Sequence, residues 1–256
     1  MLPSMWDALV AILADKMADS PCRYHFYVKE PYTHVSQQSS LVSDNTCPQD
    51  HACCWIGHSW GFMQPWYRQN IMGAVSFNGF THLPVDVDDA GNHTSLSQNN
   101  IRTMRHGMVT HPEKTLLHFY RAVGFNKAQI MAHLDYFLLP EQLVLLRKEL
   151  AVMQQADTST AMKRLLDSGM PVLALASSAD KIVPRALTEQ CFQPNVQPDF
   201  EPVTPPNHHI TLGYHVGRSH CLPLSAPLWC AEVMVAWLSQ LIVATGYRNQ
   251  GHNKCI

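Results

Sequence analysis

The chain has 256 residues, enough for one large domain or for a core with an insertion. Hydrophobic residues make up 46% of the sequence and charged residues 15%, which is typical of a globular protein. The formal net charge of −2 gives no indication of nucleic-acid binding. No apolar run approaches the ~18 residues of a membrane span, so we expect neither a nucleic acid nor a membrane as a partner.

The eight cysteines form no C-x-x-C pair and no compact disulfide framework. The first residues carry Asp7 and Asp15 inside an apolar pattern and have no basic segment, unlike a secretory signal. We therefore expect reduced thiols, a cytoplasmic location, and no metal ion or cofactor.

The amino-terminal part alternates apolar segments with a polar loop. An amphipathic helix is predicted over residues 4–18, with Ser4 as its N-cap and Asp7 at its third helical position. Aromatic and β-branched residues predict a strand over 22–28, and the Ser-, Gln-, Asn- and Pro-rich segment 31–50 predicts a loop.

A short apolar run at 53–56 predicts a buried strand that leads into Gly57-His58-Ser59-Trp60-Gly61. This pentapeptide matches G-x-S-x-G, in which a serine at a sharp strand-to-helix turn exposes its Oγ above a sheet. Flanking glycines allow close approach of neighbouring chain, and the Trp60 amide is expected to face a developing oxyanion. Pro65 limits the following helix to a short first turn or a kink. The alternative interpretation is an ordinary serine in a Gly-rich turn.

The rest of the chain indicates an α/β sheet interrupted by helices. The pattern predicts a strand at 71–80 ending in an Asn-Gly turn, an irregular segment at 84–100, helices at 114–123, 127–138 and 141–153, strands at 170–177 and 210–216, and a helix at 228–243. We therefore predict an α/β core formed by residues 1–100 and 169–256, with a helical lid at 101–168.

Two later residues are candidate partners for Ser59. Asp180 follows the strand at 170–177, where open α/β sheets place functional groups, although an Asp there also commonly caps the next helix. His220 precedes the apolar terminal helix, so the chain order is Ser59, Asp180, His220. In this hypothesis His220 removes the proton of Ser59, Asp180 orients the imidazole, and water hydrolyses an acyl-enzyme. Weaker candidates for the base or the acid are His208, His209, His215, Asp167, Asp199, Asp86, Asp88 and Asp89.

The residues at 57–61, 178–184 and 217–221 resemble the corresponding motifs of the α/β-hydrolase superfamily. Within it, the layout is similar to the pimeloyl-acyl-carrier-protein methyl ester esterases of biotin synthesis, which have a lid of about four helices. The resemblance implies a serine carboxylesterase for a carrier-bound methyl ester, with His58, Trp60 and Phe119 binding substrate. A broader acyl hydrolase or thioesterase is the alternative within the same chemistry.

The start of the chain departs from this family pattern. Such enzymes have strands and a His-Gly-type motif before their first helix, and that motif supplies a second oxyanion donor. Here residues 1–6 already resemble that helix, so the amino-terminal strands are expected to be missing. A truncated, non-catalytic binding protein is therefore a further hypothesis.

The predicted lid is locally basic. Nine Lys or Arg and five Asp or Glu residues lie between 101 and 165, which gives this segment a net charge of +4. Such a surface is expected to steer an acidic carrier protein or an anionic substrate, and a solvated helical surface is the alternative.

Overall fold

The computed structural model describes residues 6–18, 53–63, 71–83, 96–192, 210–217 and 219–244. In this part of the chain, four strands form one sheet in the order β1-β2-β3-β4, and every neighbouring pair is parallel. The strands are β1 Cys53–His58, β2 Ile71–Phe77, β3 Val172–Ser177 and β4 Ile210–His215. Their carboxyl ends therefore meet at one edge of the sheet.

The sequence of β3 explains why it is an interior strand. Val-Leu-Ala-Leu-Ala-Ser is apolar apart from its last residue, and all six residues are buried. Near-continuous apolar runs are typical of parallel strands that are covered on both faces. Its neighbour β2 is buried over its last five residues, so the two strands form the centre of the core.

Alternate residues of the strands face two separate hydrophobic clusters, as the pleat of a β-strand requires. On one face, Leu173 and Leu175 pack with α1 (Asp7–Lys16), α8 (Leu222–Ser225) and α9 (Pro227–Ala244). On the other face, Val172 and Ala174 pack with α7 (Arg185–Phe192). Helices on both faces of a parallel sheet define the α/β architecture predicted from the sequence, which is confirmed.

Among the described residues, five helices lie between β2 and β3, and we call them the insertion. They are α2 Gln98–Thr110, α3 Pro112–Val123, α4 Lys127–Phe137, α5 Pro140–Gln155 and α6 Ser159–Asp167. Three of them, α2, α3 and α4, share a small hydrophobic cluster formed by Met108, Leu116, Leu134 and Phe137. The division of the chain into a core and a functional lid stays a prediction.

Local sequence signals set the ends of the insertion helices. The Ser97 side chain caps α2 by accepting from the Asn100 N–H, and Asn126 forms a capping box with Gln129 at the start of α4. Gly124 ends α3 at a φ of 105°, a left-handed conformation that glycine adopts without a Cβ penalty.

The carboxyl-terminal end of the insertion is anchored to the segment that follows β2. The Thr158 N–H and hydroxyl both donate to the Thr81 carbonyl, at 2.8 and 3.0 Å. The Ser159 hydroxyl lies 3.0 Å from His82 Nδ1. These bonds fix the start of α6 against the segment that follows β2.

Several predicted boundaries need correction. The first helix begins at Asp7 with Trp6 as its N-cap, so Asp7 is its first residue and not its third. β2 ends at Phe77, because Asn78 has a positive φ of 46° that breaks the extended backbone. α2 begins at Gln98, inside the segment predicted to be irregular, because Ser97 caps it there. The predicted strand at 22–28 and loop at 31–50 lie outside the described residues.

The turn after β1 folds tightly back onto the strand. Residues Ser59–Met63 form a 3₁₀ helix in place of the predicted α-helical turn. A Cβ at Gly57 would lie 2.7 Å from the Phe62 Cα, whereas a Cβ at Gly61 would meet none of the described residues within 4 Å. Close approach therefore requires glycine at position 57, and the expectation that Gly61 serves the same purpose is wrong.

Within the described residues, no helix is both long and apolar enough to cross a membrane.

The contrast between the two glycines predicts different effects on stability. Gly57→Ala should lower the free energy of unfolding by ~1–3 kcal/mol, because the new methyl group meets backbone that cannot move aside. Gly61→Ala, the matched control, should change it by no more than ~0.5 kcal/mol. Urea unfolding of both variants measures the difference, and equal stabilities would contradict the packing described here.

Candidate active site

Ser59 lies at the junction of β1 and the 3₁₀ helix, at the carboxyl edge of the sheet. Its φ is 51°, in the left-handed region that residues other than glycine seldom adopt. Such a conformation costs on the order of 1–3 kcal/mol and is concentrated at functional sites. The backbone strain expected from the G-x-S-x-G pattern is therefore present at this serine.

Asp180 lies three residues after the end of β3, and its side chain is fully buried. Its Oδ1 accepts from the Ile182 N–H at 2.7 Å and the Val183 N–H at 3.2 Å. The helix that follows begins only at Arg185, so the carboxylate holds a turn and does not cap that helix. The other carboxylate oxygen, Oδ2, is directed at a histidine.

That histidine is His220, which is 3% exposed and lies just before α8. Its Nδ1 is 2.7 Å from Asp180 Oδ2, and its Nε2 is 2.8 Å from Ser59 Oγ. Because an ionised carboxylate only accepts hydrogen bonds, Nδ1 carries the ring proton. Nε2 then accepts from the Ser59 hydroxyl, so the three side chains form one continuous hydrogen-bonded chain.

The competing histidines and acids have other positions. His215 ends β4 and packs its ring against Trp229, with ring centroids 5.1 Å apart. Asp167 is exposed at the end of α6. The remaining candidates lie outside the described residues; they are His208, His209, Asp199, Asp86, Asp88 and Asp89.

The backbone of His220 is held at both of its polar groups. Its N–H donates to the Val123 carbonyl, at the end of α3, over 3.0 Å. Its carbonyl accepts from Asn78 Nδ2 at 2.5 Å and from His58 Nε2 at 2.8 Å. The sequence interpretation did not identify Asn78 or Val123 as site residues. The sequence predicts a turn at the Asn-Gly pair 78–79, and the position of this pair after a strand is a usable signal of a site residue.

His58 is neutral at physiological pH. Burial, together with the nearby His220 ring, lowers the pKa of His58 from 6.5 to about 3. The two ring centroids are 4.8 Å apart. His58 therefore donates to the His220 carbonyl as an uncharged imidazole. Its expected role in substrate binding stays a prediction.

Trp60 follows the serine and links the 3₁₀ helix to the insertion. Its indole Nε1 donates to Glu149 Oε2 on α5 over 3.3 Å. Phe119 is half-buried on α3, where it contacts Tyr120 edge-on at 5.5 Å between ring centroids. The oxyanion role of the Trp60 amide and the contacts of Trp60 and Phe119 with substrate stay predictions.

Four of the described cysteines lie in surroundings that disfavour thiolate formation. Burial raises the pKa values of Cys54, Cys221 and Cys230 to about 12, so these thiols stay protonated and are poor nucleophiles. No three His, Cys, Asp or Glu residues among the described positions are grouped so that they could hold a metal ion.

The solved structures to which the chain is similar include esterases and an α/β-hydrolase enzyme. An esterase from Exiguobacterium antarcticum has 11% identity and a TM-score of 0.54, with 74% of this chain and 67% of that chain covered. An α/β-hydrolase enzyme, MGS-M2, from a Medee basin deep-sea metagenome library has 12% identity and a TM-score of 0.55, with 75% and 66% covered. A thermophilic esterase from Thermogutta terrifontis has 13% identity and a TM-score of 0.52, with 94% and 88% covered.

These likenesses establish the α/β-hydrolase fold. The chain spans about two thirds of the length of the first two structures. No protein-family model matches the sequence, and a search of curated proteins also finds no match. Since one fold supports many activities, the activity must be argued from the site.

The lowered pKa of His58 predicts a dependence of stability on pH. Between pH 6.5 and 3 the unfolded chain binds a proton at His58 that the folded chain does not, so acidification favours unfolding. Proton uptake by His58 in the unfolded chain should lower the free energy of unfolding by on the order of 1 kcal/mol per pH unit below pH 6.5. His58→Gln, whose amide can still donate to the His220 carbonyl, should make the unfolding free energy less steep in this range.

Chemical unfolding at closely spaced pH values measures this slope. His106→Gln, an exposed substitution on α2, is the control and should keep the slope of the unsubstituted chain. Identical slopes for the His58→Gln variant and the unsubstituted chain would show that His58 is not held neutral by the fold.

Proposed function

We propose that this chain is a serine hydrolase that cleaves acyl esters through Ser59, His220 and Asp180. The observation that carries the proposal is the uninterrupted hydrogen-bonded chain from Ser59 Oγ through both His220 nitrogens to Asp180. Two of the structures similar in fold are esterases by description, which supports this chemistry. An ordinary serine in a turn would need neither a buried carboxylate nor a buried imidazole.

In the proposed mechanism, His220 Nε2 takes the hydroxyl proton as Ser59 Oγ attacks the ester carbonyl. Asp180 stabilises the imidazolium that forms, and its two bonds from backbone N–H groups keep the carboxylate fixed. The imidazolium returns the proton to the leaving alcohol, which produces the acyl-enzyme. Water, activated by the same imidazole, then releases the acid and restores Ser59.

The tetrahedral intermediates place a negative charge on the former carbonyl oxygen. The amide of Trp60 follows the nucleophile directly and is the proposed donor to that oxygen. A single donor of this kind is typically worth ~10²–10³-fold in turnover. The Trp60 indole, held by Glu149, couples this backbone position to α5.

Substitution of the three side chains tests the proposal with a short p-nitrophenyl acyl ester. Ser59→Ala should lower kcat by ~10⁶-fold, because the nucleophile is gone. Asp180→Asn should lower it by ~10⁴-fold, because the amide favours the wrong tautomer of His220. Ser225→Ala, an exposed serine on α8, is the control and should retain full activity.

No hydrolysis by the folded, unsubstituted chain would contradict the proposal and favour a non-catalytic binding role. Equal activity toward oxygen esters and thioesters would favour the broader acyl hydrolase or thioesterase.

For the substrate, we propose a methyl ester carried on an acidic carrier protein, as in the family that the sequence resembles. Eight of the nine basic residues of the insertion are exposed, and none of the nine has a salt-bridge partner among the described residues. Unpaired basic side chains on the helices beside the site supply charge for an acidic partner. The nine residues are Arg102, Arg105, Lys114, Arg121, Lys127, Arg147, Lys148, Lys163 and Arg164.

Charge reversal on α5 separates carrier recognition from ester chemistry. The double substitution Arg147→Glu with Lys148→Glu should lower kcat/KM for a carrier-bound methyl ester by ~10-fold or more, because steering by charge is lost. Hydrolysis of a free methyl ester should be unchanged. Arg185→Glu on α7, outside the insertion, is the matched control. Equal losses with both substrates would contradict a carrier-docking role.

A further inference from the structure

Two consecutive peptide carbonyls beside the proposed base each accept two side-chain hydrogen bonds. The Ser219 carbonyl accepts from Ser177 Oγ at 2.5 Å and from Asn78 Nδ2 at 3.3 Å. The His220 carbonyl accepts from Asn78 Nδ2 at 2.5 Å and from His58 Nε2 at 2.8 Å. Asn78 is the side chain that reaches both carbonyls.

The Asn78 side chain is itself held in one orientation. It is 1% exposed, and its Oδ1 accepts from the Ser177 N–H at 2.8 Å. The backbone N–H of Asn78 donates to the Leu175 carbonyl at 2.8 Å. Because a backbone N–H needs an oxygen and a backbone carbonyl needs an N–H, the two ends of the amide cannot be exchanged. Asn78 therefore connects the end of β3 to the peptide that carries His220.

We propose that Asn78 is a positioning residue for the hydrolytic reaction. It fixes the main chain of His220, so that the imidazole stays in line between Asp180 and Ser59. The inference rests on the proposed function. Asp180 bonds only the ring of His220, at Nδ1, so the position of the main chain depends on other bonds, among them those from Asn78. A displacement of about 1 Å at such a site can cost ~10²-fold in rate.

The chemistry of the position requires asparagine. A φ of 46° suits Asn, Asp and Gly better than other residues. Aspartate keeps the shape and the acceptor, but it places a carboxylate oxygen against two carbonyls in a buried site, which is repulsive. Glycine keeps the backbone conformation and removes all side-chain bonds. Asn78→Gly therefore measures the contribution of the side-chain amide separately from that of the backbone turn.

Steady-state kinetics of Asn78→Asp and Asn78→Gly with a short p-nitrophenyl acyl ester test the inference. Both variants should lose ~10²-fold in kcat with little change in KM, because a displaced base affects the transition state more than substrate binding. Thr188→Val is the control, since the buried Thr188 hydroxyl on α7 has no hydrogen-bond partner among the described residues. The Thr188→Val variant should keep the kcat and the KM of the unsubstituted chain. If Asn78→Asp does not fold, Asn78→Gly alone decides the outcome.

A proton NMR measurement makes the test independent of activity. The Nδ1–H of His220, bonded to Asp180, should give a far-downfield resonance that is absent in His220→Gln. The resonance should be sharp in the unsubstituted chain and in Thr188→Val, and broadened or lost in Asn78→Gly.

The two measurements distinguish the failure of this inference from the failure of the proposed function. No hydrolysis by any chain, with a resonance that still depends on Asn78, would overturn the proposed function and leave only the structural effect of Asn78 on His220. Full kcat in Asn78→Gly with an unchanged resonance would overturn the positioning role alone. An increase in KM without a fall in kcat, together with an unchanged resonance, would also overturn the positioning role.

Discussion

Parallel pairing of the four strands is the constraint on which the candidate site depends. Parallel strands all end at one edge, and the register pairs His58 with Phe77, Phe77 with Leu175 and Ser177 with His215. The residues that follow these positions therefore emerge side by side, although they are far apart in the chain. Ser59, Asn78 and the segments containing Asp180 and His220 all come from this edge. An antiparallel pairing anywhere in the sheet would move one of them to the opposite end.

The candidate site also requires that the short segment carrying His220 be held in place, although this segment belongs to no helix or strand. Ser219 and His220 lie between β4 and α8, and the sheet ladder does not extend to them. Side chains from β1, β3 and the turn after β2 hold their carbonyls, and Val123 of α3 holds the His220 N–H. The insertion is thus bonded directly to the proposed base. A second bond, from Trp60 to Glu149, joins it to the nucleophile turn. Displacement of the insertion would disturb both.

The sequence predicted the part of this account that depends on local patterns. Apolar runs and punctuation located β1, β3 and three of the insertion helices, α3, α4 and α5. Residue type with chain order selected Ser59, Asp180 and His220. The structure places these three side chains within hydrogen-bond distance, and their catalytic roles stay a prediction. The α/β-hydrolase fold is confirmed, and the finer substrate assignment depends on the resemblance.

What the sequence did not reveal depends on contacts between distant segments. Asn78 has the residue type of a turn, and only its contact with His220, 142 positions later, gives it a role. The two glycines of the G-x-S-x-G pattern are indistinguishable in sequence, yet only Gly57 faces backbone at close range. The neutral state of His58 likewise results from burial, which no local pattern encodes.

The central claim is that Ser59 is an activated nucleophile, and covalent labelling tests it most directly. The purified chain would be treated with an alkyl fluorophosphonate, and the intact mass and the modified peptide would be measured. The account predicts one adduct per chain, on the peptide containing Ser59, and no adduct in Ser59→Ala. A folded chain that stays unlabelled, or that is labelled at another residue, would contradict it.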